Sequence, residues 1–288
     1  MPAAFSPLRG VRVVSLALNL PGPAALVRLR NLGARCTKLE PLSGDPMAQY
    51  SPQAYELMHE SIAVVKADLK TAAGQKRLHQ LLGKADVLLT SFRPSALRKL
   101  GLGFKKLHAL YPALSLVAVV GAPGADADKP GHDLTYLAKA GLVTGTAMPP
   151  SLFADMGGAL MASEAVLAAV FQQRTTGKGV YREVALSIAA DWLALPRNWG
   201  LSSPKGVVGG AHAGYRVYGC INGRVAVAAL EPHFAAALCE AVGLPAPSGR
   251  SMWLPATHAA IAAFCAQRTS RVLNAFALSK DIPLHTMA

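Results

Sequence analysis

Short β-rich runs alternate with stretches of helical periodicity over the first part of the chain. Val11–Ala17 is β-rich, Asn19 to Pro23 punctuates, Ala24–Leu32 has helical spacing that Gly33 stops, and Ala34–Glu40 returns to strand. Further strands are predicted at Ile62–Ala67, Ala85–Thr90 and Leu114–Val120. Helices are predicted at Ala72–Leu82, behind a Thr71 cap, and at Pro94–Leu100. A β–α–β unit of this length requires parallel strands and a right-handed crossover. Its repetition predicts an open, mostly parallel, Rossmann-like α/β sheet with helices on both faces, accounting for residues 1–125.

From Leu134 the texture becomes Ala-rich and helical, over 134–142 and 157–174, with Gly177-Lys-Gly179 as terminator. Val180–Val184 then reads as a strand and Ala185–Leu195 as a helix. Two β-runs, Tyr215–Cys220 and Arg224–Ala229, are joined by Asn222-Gly223, a hairpin signal. Helices near 233–242, 256–267 and 271–278 complete a small α+β domain. The organisation expected is a large α/β domain over 1–195, a Gly/Ser/Pro-rich linker over 196–214 and a small domain over 215–288.

Composition narrows the class. With 288 residues, 52% of them hydrophobic, the chain has the length and apolar content for a buried core, which excludes disorder as its main state. Apolar stretches are cut by charge or proline before the ~20 residues needed to span lipid. Ala159–Phe171 contains Glu164 and reads as a core helix. No secretory apolar segment is evident in Met1 to Gly10, so a cytoplasmic protein without membrane association is expected. Cys36, Cys220, Cys239 and Cys265 are dispersed, which predicts reduced thiols and no structural zinc. A formal net charge of +13 with only 16% charged residues points to a polyanionic partner. The cations are scattered without a basic-aromatic stripe, so a phosphate-bearing small molecule is expected rather than nucleic acid.

Four places could carry chemistry. Neither a GxGxxG nor a GxxxxGK[ST] motif is present, so Glu40, at the end of the second strand, reads as an ordinary exposed acid rather than a ribose ligand. His132, in Gly131-His-Asp133, sits at a loop-to-helix junction, where it is either a cap or a base. Asp155, in Ala154-Asp-Met-Gly-Gly158, reads as a helix N-cap whose carboxylate is also a usable base or nucleophile. Glu231, in Leu230-Glu-Pro-His233, closes the hairpin, where a charge in apolar surroundings requires a partner.

These residues sit in segments that carry a family resemblance. Pro7 to Val13, Pro21 to Ala24, Leu32 to Glu40, Ala67 to Lys70, Ala85 to Leu89, Phe92-Arg-Pro94, Leu100 to Gly103 and Arg174 to Gly179 resemble, in order, segments of the family III CoA-transferases, the CaiB/BaiF group. Gly131-His-Asp-Leu-Thr-Tyr136, Ala154 to Gly158 and Leu230 to Phe234 are similar to the α-methylacyl-CoA racemase branch. The resemblance implies proton transfer at the α-carbon of a 2-methylacyl-CoA, with His132 and Asp155 as the two bases and Glu231 orienting His132. It implies further that the amides of Met156, Gly157 and Gly158 stabilise the enolate oxygen, and that Lys38, Arg93 and Lys99 meet the phosphates and adenine of CoA. No separate cofactor is implied, since CoA is part of the substrate, and an interlocked homodimer is expected. The alternatives are a transferase that forms an Asp155 acyl anhydride, and a CoA-binding homologue without activity.

Three departures from the family pattern stand out. Leu57-Met-His-Glu-Ser61 replaces a basic segment that contacts CoA phosphates. Gly121 to Ala127 lacks the glutamine of the family loop. The chain ends near Asp281-Ile-Pro283, where relatives continue, which is expected to leave some sheet or dimer surface uncovered.

Overall fold

The computed structural model describes residues 5–288, in two compact units that divide between Ala194 and Leu195. The expectation for Met1 to Gly10 falls partly on residues 1–4, which lie outside the described residues.

In the large unit, β1 (Arg12–Ser15) leads to α1 (Pro21–Asn31), β2 (Arg35–Glu40), α2 (Met47–Tyr50), α3 (Pro52–His59) and β3 (Ala63–Lys66). α4 (Ala72–Leu82), β4 (Val87–Thr90), α5 (Pro94–Lys99), α6 (Phe104–Leu110) and β5 (Ser115–Val120) follow. The unit closes with α7 (Asp133–Lys139), α8 (Phe153–Thr176), β6 (Tyr181–Ala185) and α9 (Leu186–Leu193). The six strands are all parallel, in the order β3-β2-β1-β4-β5-β6. This is the doubly wound sheet that the alternation predicts.

Strands buried on both faces are apolar along their length rather than at alternate positions, and β4 and β5, buried at every residue, are apolar apart from Thr90 and Ser115. Val13, Val87 and Val117 point into a core shared with α1 and α8, while Val14, Leu88 and Leu116 point into a second core under α4, α5 and α6. Thr71 caps α4 as expected, its Oγ1 accepting the Gly74 N–H at 3.1 Å. Gly177 ends α8 in the left-handed conformation, φ 71°. By length and composition α8 is long and apolar enough to cross a membrane, but half of its most apolar window is buried inside the unit. It packs on α1, α9, β5 and β6 as a core helix.

The small unit holds α10 (Leu195–Asn198), a hairpin of β7 (Tyr215–Cys220) and β8 (Gly223–Ala228), three helices, α11 (Pro232–Ala241), α12 (Pro255–Ala266) and α13 (Ser270–Lys280), and β9 (Leu284–Met287). β9 pairs antiparallel with β8 and makes the sheet three-stranded. The turn falls at Ile221-Asn222, one residue before the expected pair, because Gly223 already pairs with Cys220. Four helices, α2, α3, α6 and α10, and the strand β9 are not anticipated from periodicity.

A candidate active site at the sheet's switch point

A cleft of about 560 Å³ opens in the large unit, at the carboxyl ends of β1, β4 and β5. Leu18 to Pro21, Ser91 to Arg93 and Gly121 form its near walls, from the loops that follow those strands. β1 and β4 are neighbours whose connections run to opposite sides, so this is the switch point where a doubly wound sheet leaves a crevice. Gly131, His132, Asp133, Tyr136 and Asp155 complete the lining from the segments around α7 and α8. The structure therefore brings His132 and Asp155 into one cleft, from positions 23 residues apart in the chain.

His132 is the N-cap residue of α7 and is exposed. Its backbone N–H donates to Thr135 Oγ1 at 3.1 Å, and Thr135 Oγ1 donates back to the His132 carbonyl at 2.7 Å. The cap reading of this histidine holds by position, and the same residue borders the cleft. Next to it, the buried Asp133 accepts the backbone N–H of Asp155 at 2.9 Å, which ties the first turn of α8 to α7. Tyr136 follows one turn on. A Cβ at Gly121 would lie 2.2 Å from the Tyr136 hydroxyl, and one at Gly131 would lie 2.4 Å from it. Both positions must be glycine for this ring to reach the cleft, which gives Gly131 and Tyr136 of the motif a shared physical reason.

Asp155 is not the N-cap that the sequence suggests. The cap is Leu152, and Asp155 is the third residue of α8. Its carboxyl is pushed up to about 6, first by burial, then by the neighbouring Asp133 carboxylate, while His132 pulls it down. The nearby Tyr136 hydroxyl is also pushed up, by burial and by Asp155.

The proposed amide donors require a second correction. The Met156 N–H already donates to the Leu152 carbonyl at 3.0 Å, and Gly157 and Gly158 lie inside the helix, where the ladder takes their N–H groups. The two glycines serve packing instead. A Cβ on Gly158 would lie 2.2 Å from Leu186 Cδ2, and one on Gly157 would lie 3.2 Å from Leu193 Cδ1, so their absence lets α9 approach α8.

Lys38, expected among the CoA contacts, does not line the cleft. Its ammonium is fully buried, bonded to Asp45, 3.1 Å from Glu40 Oε1 and 2.8 Å from His59 Nε2. Glu40, only 1% exposed, also accepts the Tyr55 hydroxyl at 3.0 Å, so it is neither a ribose ligand nor an exposed acid. Burial lowers His59 from its ordinary value. A neutral ring that accepts from Lys38 at Nε2 places its own proton on Nδ1, 2.6 Å from the Tyr55 carbonyl. Glu40, Asp45 and His59 together have the donor chemistry of a cation site, and the cation they surround is the Lys38 ammonium.

This cluster shapes the cleft wall. Asp45 accepts the N–H of Asn19 at 3.0 Å and of Met47 at 2.9 Å, and Tyr50 donates to Asn19 Oδ1 at 2.8 Å. Asn19, Met47 and Tyr50 all line the cleft, and Asn19 takes a left-handed conformation, φ 63°, that asparagine tolerates. Asp45 was overlooked in the sequence. Its signal is a Ser-Gly-Asp-Pro turn that would have marked a loop but not its partners.

Of the other expected CoA contacts, Arg93 lines the cleft as N-cap residue of α5, whereas Lys99 is an exposed residue in the last turn of that helix and is not part of the lining. Lys129, which was not anticipated, is a second cation in the lining. Glu231 belongs to the small unit, where it is the exposed N-cap residue of α11. Its charge is solvated, so the expected need for a partner in apolar surroundings does not arise.

Comparison with known proteins bears on this geometry. The profile of CoA-transferase family III matches residues 8–287. A cinnamoyl-CoA:phenyllactate CoA-transferase of Clostridium sporogenes is 31% identical over 202 residues, covering 63% of this chain and 49% of the relative. An alpha-methylacyl-CoA racemase of Mus musculus is 30% identical over 257 residues, covering 82% and 65%. The chain thus spans between half and two thirds of these relatives' length. A crystal structure of a hypothetical protein from Mycobacterium tuberculosis superposes with a TM-score of 0.84 at 24% identity, covering 98% of this chain and 84% of that one. A CaiB/BaiF family protein from Brucella suis gives 0.82 at the same identity. These two likenesses concern the fold.

Proposed function

The chain belongs to CoA-transferase family III, and from that premise we propose that it acts on a CoA thioester, moving the α-proton of a 2-methylacyl group between His132 and Asp155. One observation carries the reading. A histidine and a carboxyl pushed up to about 6 line one cleft, so that two groups able to take and give a proton face the same space. A thioester α-C–H is a weak acid, so inversion requires one group to take the proton while the other supplies one on the opposite face. One proton is held between the two groups before and after each turnover, so the step balances.

The enolate oxygen needs a donor. With the α8 amides committed to the helix, the neutral Tyr136 hydroxyl in the cleft lining is the group proposed for this role. Arg93 and Lys129 are proposed to meet the CoA phosphates. The role of Glu231 in orienting His132 comes from the resemblance alone and is tested by Glu231→Gln.

A transferase reading, with Asp155 as nucleophile, is favoured by the 31% identity to the clostridial CoA-transferase. Incubation with a chiral 2-methylacyl-CoA in deuterated water separates the two. The first predicts deuterium at the α-carbon of both enantiomers, and its loss in His132→Ala for the enantiomer whose α-proton His132 takes. Acyl transfer to a free acid, with a trappable Asp155 anhydride and no deuterium, would establish the second instead.

Assembly as a homodimer belongs to the same proposal. Phe153, Met156, Leu160, Leu167 and Phe171 form an exposed apolar stripe at helical spacing on α8, interrupted by Glu164, beside Ile188 and Trp192 on α9. Phe171 is 75% exposed and Trp192 69%, which suits a face covered by a second copy.

A further inference from the structure

Nine of the chain's lysines and arginines fall between Lys70 and Lys106, accompanied by a single acid, Asp86. All nine are exposed, so the excess charge that looks scattered along the sequence is concentrated on the segments that carry α4, α5 and α6. A second pocket opens in this face of the large unit, separate from the catalytic cleft except for Phe92, which borders both. It has a volume of about 490 Å³, within the roughly 300–1,000 Å³ of small-molecule sites.

The pocket has an apolar floor and a cationic rim. Leu97, Phe104, Leu116, Ala118 and Tyr181 provide the floor, beside the β5–β6 end of the sheet. The Phe104 and Tyr181 rings stand 5.8 Å apart. Arg98, Lys105 and Lys106 provide the rim. The carboxylates nearby are Asp128, 3.7 Å from the exposed Arg98 guanidinium, and Glu183, which accepts the Tyr181 hydroxyl at 3.2 Å. They leave Lys105 and Lys106 without an ion-pair partner among the described residues.

An apolar cavity whose cationic rim includes two lysines without an ion-pair partner complements a molecule with an apolar body and one anionic end. We propose that this pocket binds an amphiphilic carboxylic acid, its chain lying on Leu97, Phe104, Leu116 and Tyr181 and its carboxylate facing Lys105 and Lys106. The pocket uses none of the residues assigned to proton transfer, so this inference stands or falls apart from the proposed reaction.

Calorimetric titration of the whole chain with monomeric decanoate tests it. Saturable binding at one site is expected, weakened at least tenfold in Lys105→Ser/Lys106→Ser and absent in Gly103→Leu. Gly103 has φ −63°, and a Cβ there meets only Arg98 Cγ at 3.6 Å, so the leucine enters the pocket without backbone strain. Thermal melts that match the parent protein establish that both variants fold, and the exposed lysine pair keeps the test valid if the leucine variant does not. Decanol is expected to bind at least tenfold more weakly, and inorganic phosphate not to saturate. Equal affinity for decanol, unchanged decanoate binding in both variants, saturation by phosphate alone, or binding only to anionic vesicles would each overturn the proposal.

Discussion

Asp155 sits in the first turn of α8, where a helix dipole favours a negative charge, yet its carboxyl is held at about 6 because burial and Asp133 outweigh the dipole and His132. A carboxyl raised from 3.8 in this way supports folding most below pH 3.8, and that contribution is lost as pH rises through about 6. Once ionised, and still partly solvated, it costs the folded state about 2 kcal/mol. Asp155→Asn should therefore raise the melting temperature by about 5 °C at pH 7.5 and leave it unchanged near pH 3.5. The same variant should lose about 10²–10⁴-fold in α-proton exchange with the enantiomer whose proton Asp155 takes, a gain in stability bought by lost function. Tyr136→Phe should lower exchange by about 10²-fold while leaving CoA affinity within a factor of two. Asp45→Ala removes one of the two carboxylates around the buried Lys38 ammonium and releases the Asn19 and Met47 amides. It should destabilise by roughly 3–5 kcal/mol in urea unfolding and weaken CoA binding through the displaced cleft wall. At this scale the sequence reveals candidate chemistry but not its surroundings. His132 and Asp155 are legible because their neighbours form recognisable segments. Lys38 and Glu40 are misread because the residues that enclose them, Asp45, Tyr55 and His59, come from later turns that periodicity does not connect to β2.

The elements were legible wherever a strong period met a clear stop. β1 to β6, α4 with its Thr71 cap and α8 with its Gly177 terminator fall where the pattern places them, and their alternation is sufficient to give the doubly wound order. α2 and α3 escaped notice because they are four and eight residues long and meet at Ser51-Pro52, a pair that reads as loop. The glycines at the start of α8 were misassigned for a related reason. A Gly-Gly pair beside a candidate catalytic acid suggests access for a ligand, and only the position of α9 shows that it is access for a helix. Gly158→Ala should therefore melt lower by about 1–3 kcal/mol of stability, since Leu186 must move, while the ionisation of Asp155 stays near pH 6. An unchanged melting temperature would remove the packing role.

At the scale of the molecule, net charge and exposed apolar area are the properties that composition announces without locating. The +13 excess first suggests any polyanion. The structure takes Lys38 out of that account, keeps Arg93 and Lys129 in the cleft and gathers most of the remaining charge around α4 to α6. The apolar stripe on α8 and α9 is likewise invisible as an interface in a chain that is half hydrophobic. If a second copy covers it, Phe171→Glu combined with Trp192→Glu should convert a dimer to a monomer in light scattering, and a monomeric parent protein would contradict that assembly. The central claim is that two groups in one cleft handle the same proton from opposite faces. It is tested most directly by incubating Asp155→Asn and His132→Ala separately with each enantiomer of a 2-methylacyl-CoA in deuterated water and following the α-proton by NMR. The account predicts that both variants lose inversion, and that each keeps exchange with at most one enantiomer, the opposite one in the two cases. Full inversion by either variant, or no α-exchange by the parent protein with either enantiomer, would contradict it.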